Sequence, residues 1–127
     1  MGFDQYHEPP EELGQETRTL ARMFASLTEE AEAINWYEQR LAVEQDKDAR
    51  AIIANARHEK YKHFAMDLEF LFRKRPEWAA IAKEILFQDG DITENAESSE
   101  KNAPIHDPGP DSGPRPTLGS LGIGGLR

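Results

Sequence analysis

The sequence predicts an all-α protein: an antiparallel two-helix hairpin, a short third helix and a disordered C-terminal tail. Three observations predict it. Leu20, Leu27, Ile34 and Leu41 recur every seven residues, flanked at three by Met23, Glu30 and Tyr37 and at four by Phe24, Ala31 and Glu38. That spacing draws one helix face, close to a coiled-coil seam. Ala49, Ala56, His63 and Phe70 repeat the period downstream, beside a parallel row of Ile52, Glu59 and Met66. Only the short polar stretch Gln45-Asp46-Lys47-Asp48 separates the two patterns, and a short connection makes helices antiparallel neighbours.

Each element has its own signals. Residues 1–12 are irregular, because Pro9-Pro10 blocks an earlier helix start. The first helix is predicted over roughly Glu11 to Glu44. The polar break supplies N-cap residues for a second helix from about Asp48 to Arg73. Pro76, well placed in a first helical turn, opens a third helix over roughly Glu77 to Phe87, with Trp78, Ile81, Ile85 and Leu86 as its apolar face. Asp89-Gly90-Asp91 ends it. From about Ser98 the chain turns to Gly, Pro, Ser, Asp and Asn, so residues 1–97 are read as the helical domain and 98–117 as a disordered linker. Large aliphatics then return between glycines. Residues 118–127 therefore read as a docking peptide that lays Leu118, Leu121, Ile123 and Leu126 into pockets on a partner.

A two-helix hairpin buries one side of each helix, and Phe64, Leu68, Leu71 and Phe72 lie off the main stripe. Dimerisation into a four-helix bundle is the expected remedy. No apolar run approaches the roughly 18 residues of a membrane span, no signal peptide opens the chain, and there are no cysteines. The formal net charge is −9. The tail from Ser98 is neutral, so the excess negative charge lies in residues 1–97 and argues against a nucleic-acid partner. Neither a Gly-rich phosphate loop nor a nucleophile elbow is present.

The candidate chemistry lies where ionisable groups interrupt the seam. Glu30 falls between Leu27 and Ile34, while Glu59 and His63 share a face one turn apart on the second helix. Inward carboxylates with a histidine one turn away hold metals in helical bundles. A two-fold axis through the seam would double the set, enough for two metals. Carboxylate and imidazole suit iron, with manganese or zinc as other divalent candidates. Glu29, Glu32, Trp36 and Tyr37 lie near Glu30 and could form an approach. The plainer reading pairs a seam glutamate with a nearby cation, for which Lys60 and Lys62 are at hand. Lys60 itself shares a flanking row with Ile53 and Asp67.

Several segments carry a family resemblance: His7-Glu8-Pro9, the run Glu29 to Arg40 (EEAEAINWYEQR), the run His63 to Glu69 (HFAMDLE) and Ile85-Leu86-Phe87. Together they resemble the encapsulated ferritins. The ending GSLGIGGL, from Gly119 to Leu126, is similar to the peptide that docks such cargo inside encapsulin shells. The resemblance implies a ferritin-like four-helix bundle formed by two copies, assembling further into a decamer-like ring inside an encapsulin nanocompartment in a bacterial cytoplasm. It implies oxidation of Fe(II) to Fe(III) by oxygen at a di-iron site on the dimer interface, with the mineral stored by the shell. By position it assigns ligand roles to Glu30 and His63, metal-approach roles to Glu29 and Glu32, and flanking aromatic roles to Trp36 and Tyr37. One position departs. The family's second ligand glutamate stands three residues before the histidine, and here that residue is Lys60. A charged ammonium cannot ligate iron. Glu59 is the candidate substitute, but one residue along a helix is a rotation of about 100°. Two readings therefore stay open: a ferroxidase with Glu30, Glu59 and His63 as ligands, or a ferritin-like cargo that has lost the di-iron site. The second would act as a flavin-binding ferric reductase, with Arg57, Lys60, Lys62 and Trp36 serving the flavin, or as a non-catalytic partner.

Overall fold

The computed structural model describes residues 6–111, and among them every regular element is helical. A 3-10 turn at Pro10–Glu12 precedes four α-helices: α1 (Gln15–Val43), α2 (Lys47–Lys74), α3 (Pro76–Lys83) and α4 (Ile92–Asn102). The described residues 6–68 together with Asp111 form one compact unit, and Glu69–Pro110 form a second.

In the first unit, α1 starts later than its apolar pattern suggests, because the proline-led turn holds the chain until Gly14. Gly14 has no side chain with which to cap the helix. Asp111 does it instead: its carboxylate accepts the Gly14 N–H at 2.5 Å and the Thr17 hydroxyl at 2.8 Å. An acidic group at a helix N-terminus satisfies orphan donors and opposes the positive end of the helix dipole. At the other end Glu44 turns extended and α1 stops. Its free carbonyls are taken by Arg50 of α2, whose guanidinium donates to Leu41 O at 2.5 Å and Glu44 O at 2.8 Å. Asp46 caps α2 by accepting the Ala49 N–H at 2.9 Å.

The direction of α2 follows from its partners. Arg50 meets Leu41 and Glu44, Arg57 meets Glu38, and Lys60 and His63 meet Glu30. The numbers run in opposite senses, so α1 and α2 are antiparallel, as the heptads predict. On α2 the expected row of Ala49, Ala56, His63 and Phe70 is partly buried, but the row beside it is not the expected one. Ile53, Arg57, Lys60, Phe64 and Asp67 are partly buried, whereas Ile52 and Met66 are exposed at 69% and 62%. Within one chain, the row through Ile53, Lys60 and Asp67 faces α1, and the row through Ile52, Glu59 and Met66 faces outward. The row of Ile52, Glu59 and Met66 is the more apolar of the two, so periodicity alone favours the row that the structure turns outward.

In the second unit, α2 ends at Lys74 because Arg75 precedes a proline and is held extended, with φ −135° and ψ 82°. Pro76 restarts the helix. The Trp78 ring packs edge-on against Phe72, centroids 5.1 Å apart. Helix α3 is shorter than predicted: it gives way to a turn after Lys83, and Phe87 takes a left-handed φ of 60°. The polar segment at 92–102 is a true helix and runs past residue 97, where the disordered linker was expected to begin. Asp91 caps it through the Thr93 and Glu94 N–H groups at 2.9 and 3.0 Å. Helix α4 packs on α3, and the residues buried in this unit are Leu71, Ala82 and Ser99. Small residues let the two helices approach, and Ser99 turns its hydroxyl back to Ala96 O at 2.6 Å. Residues 112–117 of the expected linker and the docking peptide at 118–127 lie outside the described residues.

Candidate metal seam between the two long helices

Helix α1 presents Glu30 to α2 from the middle of its buried stripe, with the side chain only 16% exposed. Carboxylates are rarely left at such depth without a counter-charge. Lys60 supplies it, with its Nζ 3.3 Å from Glu30 Oε1. The same oxygen lies 3.9 Å from His63 Nδ1, which is a contact rather than a hydrogen bond. One turn along, Arg57 Nη1 pairs with Glu38 Oε2 at 3.1 Å and its guanidinium lies over the Tyr61 ring at 5.6 Å. The seam is therefore crossed by two rungs of opposite charge.

Asp67 belongs to the same neighbourhood. It follows Lys60 by two helical turns, and its Oδ2 is buried with no hydrogen-bond partner. Its carboxyl is pushed above the ordinary carboxylate range, first by burial and then by the negative charge of Glu30, with His63 pulling the other way. Glu59 stands elsewhere. It pairs with Lys62 at 2.9 Å, is 44% exposed, and is held below its ordinary range by the hydrogen bond and charge of that lysine.

Of the residues singled out from sequence, the structure thus brings Glu30 and His63 together and leaves Glu59 on the outer row. Glu29 and Glu32 are exposed on α1. Trp36 is 49% exposed, and Tyr37 is partly buried beneath the Arg40 guanidinium at 5.3 Å from the ring centroid. The sequence sets Asp67 on the flanking row with Lys60 and Ile53; the structure adds both it and Arg57 to the seam. The signal for Asp67 was its seven-residue spacing from Lys60, and for Arg57 its spacing four after Ile53. Among the described residues, no group of three or more His, Asp or Glu side chains gathers closely enough to hold a metal. The donors of one chain do not fit a resident di-iron centre: Glu30 is engaged by an ammonium, and Glu59 is tied to Lys62 on another face.

An antiparallel hairpin with an acidic and histidine-bearing seam defines a ferritin-like half-bundle. The chain belongs to the EncFtn-like family, whose model matches residues 5–89. It is similar to a ferritin-like protein of Thermotoga maritima, 43% identical over 96 residues, covering 76% of this chain and 84% of that protein. It is also similar to an encapsulated ferritin-like protein of Rhodospirillum rubrum, 39% identical over 126 residues, covering 95% of this chain and 86% of that protein. Among solved structures, protein ne0167 from Nitrosomonas europaea superposes with a TM-score of 0.68 at 42% identity, covering 70% of this chain and 99% of that one. No helix among the described residues is long and apolar enough to cross a membrane.

Proposed function

We propose that this chain is a ferritin-like cargo protein of a bacterial encapsulin nanocompartment, where Fe(II) is its substrate and is oxidised to Fe(III) with reduction of oxygen for storage in the shell. The family and the Rhodospirillum relative's name support the cargo role. The observation that carries the iron reading is the meeting of Glu30 and His63 between α1 and α2. One chain offers too few donors, so a second copy is needed. Exposed Phe24, Trp36, Ile52 and Met66 give the hairpin apolar outer faces that support pairing into a four-helix bundle and then a ring. Glu59 shares the outer row with Ile52 and Met66, so it lies on the face such a copy would cover. Glu29 and Glu32 would attract cations to the site. In this reading the peptide through Leu118, Leu121, Ile123 and Leu126 docks the cargo to the shell.

Fe(II) oxidation by the purified chain, with its mass in solution, tests the reading. The expected result is an oligomer that consumes Fe(II) and oxygen, slowed at least about tenfold in Glu30→Ala and His63→Ala, and in Glu59→Ala where that residue completes the site. Oxidation no faster than in buffer would overturn it. Deleting residues 118–127 should abolish co-purification with the shell.

The Lys60–Glu30 pair favours a second reading, in which the scaffold no longer oxidises iron and serves as a flavin-binding ferric reductase or as a non-catalytic partner. A yellow protein with flavin absorbance, or a protein inert toward Fe(II), would decide for it.

A further inference from the structure

We infer that Lys60 is the built-in cation of the Glu30 seam: its ammonium stands where a divalent metal would otherwise neutralise the carboxylates, and a metal reaches Glu30 only by displacing it. The inference rests on the reading that this seam is where Fe(II) is handled. Glu30 is more enclosed than either Lys60 or His63, and its Oε1 is shared by Lys60 Nζ at 3.3 Å and His63 Nδ1 at 3.9 Å. A metal bound through that oxygen would lie within a few ångströms of the ammonium, and two cations at that separation repel strongly in a half-buried site. The rest of the seam points the same way. Asp67, on the Lys60 row, places a second carboxylate where it feels the charge of Glu30, and one of its oxygens is buried without a partner. Glu30 and Asp67 thus hold up to two negative charges against one ammonium. Take the ammonium away and Glu30 is left half-buried with only the His63 imidazole beside it, a carboxylate that a divalent cation would neutralise. With the ammonium present, Glu30 has its counter-charge without metal, which is why the stability of the hairpin should not depend on one.

The residues that face Glu30 across the seam are Lys60 and His63, with Asp67 within reach of its field. The experiment therefore varies Lys60 alone. The full chain, as wild type, Lys60→Gln and Lys60→Arg, is stripped of metal and titrated anaerobically with Co(II), read by its visible ligand-field absorption and by metal content. Lys60→Gln should bind Co(II) more tightly than wild type by on the order of tenfold or more, and Lys60→Arg, which keeps the charge, should stay as weak as wild type. Thermal midpoints give a second readout that does not require tight binding. Wild type and Lys60→Arg should melt alike with Co(II) or with chelator, while Lys60→Gln should be less stable in chelator and recover with Co(II). Equal Co(II) affinity in wild type and Lys60→Gln, or a wild-type midpoint that falls in chelator, overturns the inference. The two readings fail separately. Wild type that ignores Fe(II) while Lys60→Gln gains Co(II) leaves the role of Lys60 standing and removes the ferroxidase. Wild type that oxidises Fe(II) and binds Co(II) as tightly as Lys60→Gln does the reverse.

Discussion

Asp111 should be worth far more to the fold than its place in a Pro- and Gly-rich segment suggests. Its carboxylate caps α1 through the Gly14 N–H at 2.5 Å and the Thr17 hydroxyl at 2.8 Å, although the residues are 97 and 94 positions apart. Replacing a capping acid by alanine costs about 0.5–2 kcal/mol, and losing a negative charge at a helix N-terminus costs about 0.3–1 kcal/mol more. Asp111→Ala should therefore cost about 1–3 kcal/mol. At about 4–8 °C per kcal/mol for a domain of this size, the thermal midpoint should fall by roughly 4–24 °C. Gly14 supplies an internal control. Its φ of −70° and ψ of 167° suit any residue, so backbone strain is not at issue. A Cβ there would meet Asp111 Oδ2 at 3.0 Å and Cγ at 3.1 Å, which is too close for this capping geometry. Gly14→Ala should destabilise the wild type, and do so less in the Asp111→Ala background, with a coupling of about 0.5–3 kcal/mol. Circular dichroism melts of the four proteins measure the cycle. A wild-type midpoint in Asp111→Ala, or strict additivity with Gly14→Ala, would refute the cap. The contact also bears on the proposed cargo role. Six residues, 112–117, separate Asp111 from Leu118. The seven steps from Asp111 to Leu118 span at most about 25 Å, so the anchor would limit how far from α1 the proposed docking peptide can act.

Three further outcomes are expected. Ser99→Leu should overpack the α3–α4 contact and cost about 1–3 kcal/mol, with faster amide exchange in 92–102 and little change around α1, whereas Ser99→Ala should be near neutral. The Asp91 carboxyl is held below its ordinary range, first by the Thr93 hydroxyl and then by the Glu94 N–H. A lowered native pKa adds stability above the unfolded value and loses it as pH falls through the native one, so α4 should lose exchange protection in acid before α1 does, and Asp91→Asn should flatten that dependence. The Asp67 carboxyl is shifted the opposite way, by burial and by Glu30. Its contribution is retained at acid pH and lost as pH rises through the raised native pKa, so Asp67→Asn should raise the melting temperature at neutral pH and change it little below about pH 4.

Much of the helical plan was readable before any coordinates. The leucine heptad of α1, the short polar break and Pro76 each placed a helix, because apolar period, N-cap chemistry and proline geometry act locally. The seam was half readable. Glu30 and His63 were found because each breaks an apolar stripe, and they do meet. The polar helix α4 was missed because its composition is that of a linker. Its Asp91 cap is local, but the packing of Ser99 against α3 depends on a neighbour that lies elsewhere in the chain.

The sequence by itself determined that this is an all-α chain of the EncFtn-like family with ionisable residues set into a helical seam. Only the tertiary structure decided which of two adjacent rows of α2 faces α1. The rows differ by one residue, about 100° of helix, and the more apolar one, Ile52, Glu59 and Met66, is not the one that faces α1, which fits the pairing of a half-buried carboxylate. Glu30 takes the nearest cation that can reach it, Lys60. In the same register Asp67 lies toward α1 and Glu59 on the outer row beside Lys62.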